Sequence, residues 1–309
     1  MLKARQVYQA VIRPAIAYRA AVWHQPATKP KGLAIKLQKE QTSSLRTVLG
    51  AFKATPVRQL ETEAYVPPLD IWLNGRVASY QARLESTGIA RVTQAACAVI
   101  QNRIQNQAQI RRRRRRRSRR QTDRLQDATP GCKRKKWAEQ WIDGPLQAWD
   151  YRERPLVERD WLMRWKTTEQ PVRPEIDPGG RIAVRTNTAP TKRILSLHKE
   201  LQKAESALLV QCRTGRIGLA RFLYGQRVPG VLTAQCHCGA GTETPRHIAL
   251  FCTKEANRRN ELTDSKGRTL TYPQLVGSTT AVRGFVQWMM FTNRLGQFSL
   301  AKRLLFYSE

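Results

Sequence analysis

Four side chains of the types that bind transition metals fall within 17 consecutive residues of the chain. They are Cys236, Cys238, His247 and Cys252, and their spacing is Cys-x-Cys-x8-His-x4-Cys. Three thiolates and one imidazole are a complete tetrahedral ligand set for zinc, and they leave no open position for a substrate. The spacing therefore predicts one structural Zn²⁺ ion, around which this part of the chain has to fold.

The residues beside these ligands are typical of a tight turn followed by a helix. Gly239 and Gly241 let the backbone curl around an ion. Thr244-Pro245 predicts the start of a helix, with the threonine as N-cap and the proline at the first helical position. Two alternatives stay open: His237 offers a substitute for His247, or the group consists of ordinary buried cysteines and a surface histidine.

The chain is strongly basic, with a formal net charge of +32 from 55 Lys and Arg against 23 Asp and Glu. The nine arginines between positions 111 and 120 supply less than a third of this charge, so the basicity belongs to the whole chain. A charge of this size opposes compaction unless a polyanion offsets it. We expect RNA and/or DNA as the partner, with an anionic membrane surface as the alternative and no small-molecule substrate.

The sequence has no apolar run long enough for a transmembrane helix and no signal-peptide core at its start. These features predict an intracellular protein without a membrane partner, and the basic runs favour the nucleus.

Residues 101–136 are rich in Asn, Gln and Arg, and they predict a disordered linker because like charges repel on a helix. The same segment is the expected nucleic-acid contact, since each neutralised phosphate releases counterions. The alternatives are a solvated spacer or a nuclear localisation signal. The predicted contact residues are Arg111, Arg112, Arg113, Arg114, Arg115, Arg116, Arg117, Arg119, Arg120, Lys133, Arg134, Lys135 and Lys136.

Helical periodicity runs through most of the remaining sequence and predicts a mainly α fold. We divide the chain into a helical region at 1–100, the linker at 101–136, Trp-rich helices and a loop at 137–190, and a helical zinc-binding domain at 191–309. The tryptophans of the third segment are expected to anchor a small core rather than to stack on bases.

Apolar stripes and helix signals place the individual elements. Val7 with Val11 and Tyr8 with Ile12 predict a first helix that Pro14 kinks or interrupts. A second helix is predicted to end at Gly50. Two more are predicted to start at Thr55-Pro56, with Thr55 as the N-cap and Pro56 at the first helical position, and at Pro67-Pro68. Further helices are predicted from three groups of apolar residues: Trp161 with Trp165; Ile194, Leu197, Leu201 and Leu208; and Val282, Phe285, Met289 and the stretch 298–306.

The metal-ligand segment and the first hundred residues resemble the C-terminal region of reverse transcriptases from non-long-terminal-repeat (LINE-type) retrotransposons, with fungal lineages the most similar. The matching motifs near the ligands are Arg213-Thr214-Gly215-Arg216-Ile217-Gly218-Leu219, Val228-Pro229-Gly230, Cys236-His237-Cys238-Gly239 and Glu243-Thr244-Pro245-Arg246-His247-Ile248-Ala249-Leu250-Phe251-Cys252. Those resembling the thumb-like helices after the polymerase palm are Arg13-Pro14, Tyr18, Val22-Trp23-His24, Gln41, Leu45-Arg46, Lys53-Ala54-Thr55-Pro56, Leu60-Glu61 and Val66-Pro67-Pro68-Leu69.

The departures from that family concern its catalytic residues. The family's polymerase palm carries an Asp-Asp pair, and this sequence has none. Several relatives carry a ribonuclease H domain with clustered carboxylates, but the Thr-Asp-Gly signature of that domain is also missing. The resemblance therefore implies a non-catalytic nucleic-acid-binding C-terminal fragment. The alternatives are an inert transposon remnant with a purely structural zinc site, or a residual ribonuclease H-type nuclease.

Overall fold

A computed structural model describes residues 1–24, 32–85, 157–167, 189–264 and 266–306, together with scattered positions between 92 and 110. The regular structure of these residues is helical, and the remaining ladder contacts among them are two isolated β-bridges, Gln235 with Thr242 and Thr263 with Thr269. The predicted mainly α fold class is confirmed. The Arg- and Lys-rich contact residues of 111–136, Trp137, Trp141, Trp149 and most of the predicted loop at 170–190 lie outside the described residues.

The chain forms two compact units, one made of Met1–Asn74 with Leu156–Glu309 and the other of Gly75–Pro155. The boundaries that we drew from composition stay predictions. The helices are α1 (Leu2–Val7), α2 (Arg13–Ile16), α3 (Ala20–Trp23), α4 (Leu33–Leu49), α5 (Val57–Ala64), α6 (Leu69–Glu85), α7 (Val157–Thr167), α8 (Lys203–Thr214), α9 (Ala220–Gly225), α10 (Pro245–Leu250), α11 (Tyr272–Gly277), α12 (Val282–Phe291) and α13 (Ser299–Phe306).

Pro14 neither breaks the first helix nor leaves it regular. A π-helical turn at Tyr8–Ile12 joins α1 to α2, and Pro14 stands in the first turn of α2. A wider turn gives the proline ring the room that an α-helical turn lacks. Of the predicted stripe, Tyr8 is buried, whereas Val7 and Val11 are about 60% exposed (58% and 62%), so only part of the stripe is core.

Helix α4 ends as predicted, with Gly50 in the left-handed conformation at φ 65°. Helix α6 follows Pro67-Pro68 as predicted. The start of α5 differs, because Pro56 has an extended ψ of 139° and is itself the cap before Val57. The Thr55 hydroxyl, which we expected to cap this helix, is buried without a hydrogen-bond partner in the described part of the chain.

The stripe from Ile194 to Leu208 forms two elements instead of one helix. A 3-10 turn covers Lys192–His198, and α8 begins only at Lys203. The break is set by a capping box, in which the Gln202 backbone N–H donates to Glu205 Oε2 at 2.8 Å. A cap of this kind starts a new helix because it satisfies backbone N–H groups that have no partner in the first turn.

Helix α8 is buried along nearly its whole length and belongs to two apolar clusters. Leu208, Leu209 and Cys212 pack with residues of α10, α11 and α12, whereas Val210 packs with residues of α1, α4 and α5. The N-terminal and C-terminal parts of the larger unit are therefore built around one shared helix.

Helix α7 packs on residues of the N-terminal helices although it lies far away in the sequence. Trp161 and Trp165 share a helix face and are both buried, as their spacing predicted. Arg164 forms two hydrogen bonds to Asp70 at 2.8 and 2.7 Å, and the guanidinium of Arg58 lies 3.6 Å from the centre of the Trp165 ring. These contacts therefore hold α7 against the N-terminal helices.

Candidate metal centre

A tight backbone turn holds the first two cysteines. The Cys236 N–H donates to Gly241 O at 2.8 Å, and the Gly239 N–H donates to Cys236 O at 2.9 Å. Gly239 has φ 74°, which a glycine adopts without strain. A Cβ on Gly241 would lie 3.2 Å from Nδ1 of His247, so the glycine lets the imidazole approach the turn.

Helix α10 supplies the other two ligands, one within it and one just after it. The Thr244 side chain accepts a hydrogen bond from the His247 N–H at 3.1 Å, and Pro245 occupies the first helical position, as predicted. The Cys252 N–H donates to His247 O at 2.8 Å. The helix is only six residues long, so its end brings Cys252 back toward the turn.

The structure brings the four predicted ligands together. The metal-binding atoms of Cys236, Cys238, His247 and Cys252 all lie within 4.8 Å of one another. Cys236 Sγ is 3.7 Å from Cys252 Sγ, and Cys238 Sγ is 3.2 Å from His247 Nε2. This group could hold a metal ion. It is compact enough that a single ion would contact all four atoms.

Burial and hydrogen bonding give the thiols of Cys236 and Cys238 different pKa values. Burial and the neighbouring thiols raise the pKa of Cys236 to about 11. Burial acts in the same direction on the less buried Cys238, but the Ala240 N–H and the His247 imidazole outweigh it and lower the pKa of this thiol to about 6. Bound metal favours the thiolate form of every cysteine that coordinates it.

One arginine contacts two of the thiols from outside the group. Arg294 Nη1 is 3.4 Å from Cys236 Sγ, and Arg294 Nη2 is 3.4 Å from Cys252 Sγ. The same guanidinium donates to Glu243 at 2.8 Å and to Glu255 at 3.2 Å. Arg294, Glu243 and Glu255 form two ion pairs that share the guanidinium, and these side chains are largely buried, with exposed fractions of 12%, 7% and 9%.

Arg294 is a residue of the site that the sequence did not reveal, because no local pattern connects it with the cysteines. It lies 42 positions beyond Cys252, in the turn after α12. Glu243 was noted only as part of a motif. His237, the alternative ligand, is not a member of the group: its side chain is 79% exposed, and its nearest charged partner is Glu243 at 3.9 Å.

Comparison of the chain with known protein families, with curated proteins and with solved structures gives no match. Within the described ranges, no helix has both the length and the apolar character that crossing a membrane requires.

Proposed function

We propose that this chain is a zinc-stabilised, non-catalytic nucleic-acid-binding protein that derives from the C-terminal region of a LINE-type reverse transcriptase. The observation that carries the proposal is the convergence of Cys236, Cys238, His247 and Cys252 to within 4.8 Å, from a sequence motif that resembles that family. The strongly basic composition of the chain supports the nucleic-acid part of the proposal.

Zinc is the metal that fits this group best. At a Zn–S distance of about 2.3 Å, two sulfurs of a tetrahedron are roughly 3.8 Å apart. The observed separation of Cys236 Sγ and Cys252 Sγ is 3.7 Å. Three sulfurs with one imidazole favour zinc over harder ions such as magnesium and calcium, which bind oxygen ligands. A full set of four protein ligands assigns the ion a structural role.

Metal analysis of the purified full chain tests the zinc site. We expect about one zinc per chain, and we expect Cys252→Ser to lose it and to unfold the segment around 236–252. The matched control is Cys212→Ser, which changes a buried cysteine outside the group and should keep the zinc. Zinc that is absent from the wild type, or that persists at full occupancy in Cys252→Ser, contradicts the site.

The proposed nucleic-acid contact has two parts. The first is the run Arg111–Arg117, which supplies sequence-independent affinity through phosphate contacts. The second is the exposed end of α9, where Tyr224 is 48% exposed, together with the exposed Arg227 just after that helix. Helix α9, which ends at Gly225, is joined to the ligand segment because the Ala220 N–H donates to Glu243 Oε2 at 2.8 Å, and Glu243 accepts from Arg294, which contacts two of the cysteines. An exposed aromatic ring near an arginine in the sequence suits stacking on an unpaired base.

Binding to labelled RNA, duplex DNA and RNA–DNA hybrid of several sequences tests this contact. We expect affinity to fall by a factor on the order of 10³ or more between about 50 and 200 mM salt, with little preference among sequences. Replacing Arg111–Arg117 by glutamine should flatten the salt dependence by several units of slope. Replacement of the same run by lysine is the matched control, since it retains the charge and should retain the slope.

The outcomes of this experiment separate the proposal from its alternatives. Salt-independent binding contradicts a phosphate contact. A chain that holds zinc and binds none of the nucleic acids at low salt is an inert remnant. A fluorescent fusion that enters the nucleus with Arg111–Arg117 and not with the glutamine run would support the proposed nuclear localisation, whereas equal distribution of the two would contradict it.

The absence of catalysis is part of the proposal. The sequence lacks the Asp-Asp pair of the polymerase family, and in the described part of the chain no three carboxylates lie close enough together to hold a metal ion. We expect no magnesium-dependent cleavage of an RNA–DNA hybrid. Cleavage that disappears in Asp143→Asn or Asp150→Asn would instead establish a nuclease.

A further inference from the structure

We propose that Arg294 is a positioning residue of the metal centre, which neutralises its thiolates and couples them to the C-terminal helices. This inference rests on the proposed zinc site and goes beyond it. All five hydrogen-bond donors of the guanidinium are engaged. Nε donates to Glu255, Nη1 contacts Cys236 and Glu243, and Nη2 contacts Cys252 and Glu255, at 2.8–3.4 Å.

The charges around the guanidinium require a cation at this position. Zn²⁺ with three thiolates and a neutral imidazole carries a formal charge of −1. Glu243 and Glu255 add two carboxylates, which are 7% and 9% exposed. Uncompensated charges in such a setting repel one another strongly, since water screens them poorly. Arg294 lies between these groups and contacts each of them.

The sulfur contacts give Arg294 a role beyond that of an ion pair. An N–H group that donates to a ligating sulfur withdraws negative charge from it and fixes its direction, as outer partners of metal ligands generally do. Cys236 lies in the turn and Cys252 lies just after α10, so the two cysteines are at opposite ends of the ligand segment. A single planar guanidinium that contacts both sulfurs holds the two parts at a fixed separation.

The position of Arg294 in the chain connects the metal centre with the apolar core. It follows α12, whose Phe285, Val286 and Met289 are completely buried. Asn293 before it has φ 57°, a left-handed turn that ends α12 and directs the chain toward the cysteines. Loss of the metal should therefore loosen α12 as well as the segment 236–252.

Metal affinity and cobalt spectroscopy of full-chain variants test the inference. We expect Arg294→Gln to weaken zinc binding, measured by competition with a chelator, by about 10- to 100-fold. In the cobalt-substituted protein we expect its sulfur-to-cobalt charge-transfer bands to shift, because the charge on the sulfurs changes. Hydrogen exchange should accelerate in 282–291 for this variant.

The matched control is Arg258→Gln. Arg258 pairs with Glu255 at 3.6 Å and lies 5.5 Å from the centre of the Trp288 ring, and its described contacts include no sulfur. We expect this variant to keep the zinc affinity and the cobalt bands of the wild type. Arg294→Lys retains the charge without the planar fork, so its affinity should be intermediate and its bands shifted.

These measurements separate failure of the inference from failure of the zinc site. A wild-type chain without zinc refutes the site itself. If the wild type binds zinc and Arg294→Gln has the same zinc affinity and cobalt bands as Arg258→Gln, only the role of Arg294 is refuted. If Arg294→Gln does not fold, the cobalt bands of Arg294→Lys decide, and bands identical to those of Arg258→Gln contradict the inference.

Discussion

Glu61 is a carboxyl group that the fold surrounds almost completely. Its side chain accepts a hydrogen bond from Gln38 Nε2 at 2.9 Å, while Gln38 Oε1 accepts the Leu69 N–H at the start of α6. Burial raises the pKa of Glu61 from 4.5 to about 8; the Gln38 hydrogen bond partly opposes the shift and the nearby Asp70 adds to it. The folded state therefore holds a proton on this carboxyl group that the unfolded state releases near pH 4.5.

This difference predicts the direction of a pH effect on stability. Between about pH 4.5 and 8 the folded chain binds more protons at Glu61 than the unfolded chain does. The contribution of Glu61 to the free energy of unfolding is therefore greatest at low pH and falls as the pH rises. Glu61→Gln mimics the protonated form. We expect the variant to be more stable than wild type at pH 8 and equally stable near pH 4.5.

Urea denaturation at several pH values measures the difference between Glu61→Gln and wild type, which has an upper bound of about 5 kcal/mol. Taking the difference cancels the titration of other groups. One of these groups is His198: burial lowers its pKa to about 3, so this residue destabilises the fold as the pH falls below 6.5. A difference that is constant over this pH range would contradict the assignment.

Gly50 is constrained by both conformation and space. Its φ is 65°, and a Cβ placed on it would lie 2.6 Å from the Cβ of Ala207 in α8. Gly215, which ends α8, has the same φ of 65° with nothing within 4 Å of the corresponding position. The two glycines therefore separate the cost of the left-handed backbone from the cost of a steric clash.

We expect Gly215→Ala to lower the free energy of unfolding by about 1–2 kcal/mol, which is the cost of an L-residue in the left-handed region. Gly50→Ala should cost about 1–3 kcal/mol more, because α4 and α8 must also move apart. The midpoints of urea unfolding compare the two variants. Equal destabilisation would show that the packing of α8 against Gly50 is loose.

At the scale of elements, the polar side chains of α8 hold other helices in place. Arg213 forms an ion pair with Glu63 of α5 at 2.9 Å and donates to Val276 O of α11 at 2.8 Å. Gln211 donates to Gly50 O at the end of α4 at 3.0 Å. Burial raises the pKa of Glu63, and Arg213 opposes that rise. The Arg-Thr-Gly motif that we noted in the sequence thus has a structural use here: its arginine joins three helices and its glycine ends one.

Breaking the buried pair leaves an unpaired charge in the core. We expect Arg213→Met to destabilise the fold by about 3–5 kcal/mol, and the double variant Arg213→Met with Glu63→Leu to recover most of that loss. The exposed pair of Arg268 with Asp264 is the control, and Arg268→Met should change stability little. Thermal unfolding distinguishes these variants. A double variant that is as unstable as the single one would assign the loss to the bond with Val276.

Local signals were sufficient to predict several elements and the ligand group. The end of α4, the starts of α6 and α10, and the four metal ligands each depend on residues that are close together in the sequence, so spacing and turn chemistry reveal them. Arg294 and Gln38 could not be predicted in this way, because their partners come from distant segments. The cap of α5 was misplaced by one residue, since Thr and Pro fit either register.

At the scale of the whole molecule, the larger unit has no independent N-terminal half. Val210 completes the apolar cluster of α1, α4 and α5, and Lys203 Nζ donates to Thr47 O at 3.0 Å. The N-terminal helices alone would expose the surface that α8 covers. The two parts must therefore unfold together.

This dependence predicts the behaviour of fragments. We expect a chain that ends at residue 85 to lack a cooperative thermal transition, and addition of a second chain covering 157–306 to restore one. Circular dichroism during heating measures both. A fragment 1–85 that melted alone at the temperature of the full chain would contradict the shared core.

The bond between Asp70 and Arg164 joins residues that are 94 positions apart, so a single cut of the chain between them leaves this bond in place. A protease that cuts once at the arginine run therefore makes two polypeptides without breaking the contacts that α7 makes with the N-terminal helices. The nicked protein should migrate as two bands on a denaturing gel and elute as one particle in gel filtration. The run Arg111–Arg117 offers a trypsin-like protease a target after each arginine, and a cut there leaves the bond between Asp70 and Arg164 intact.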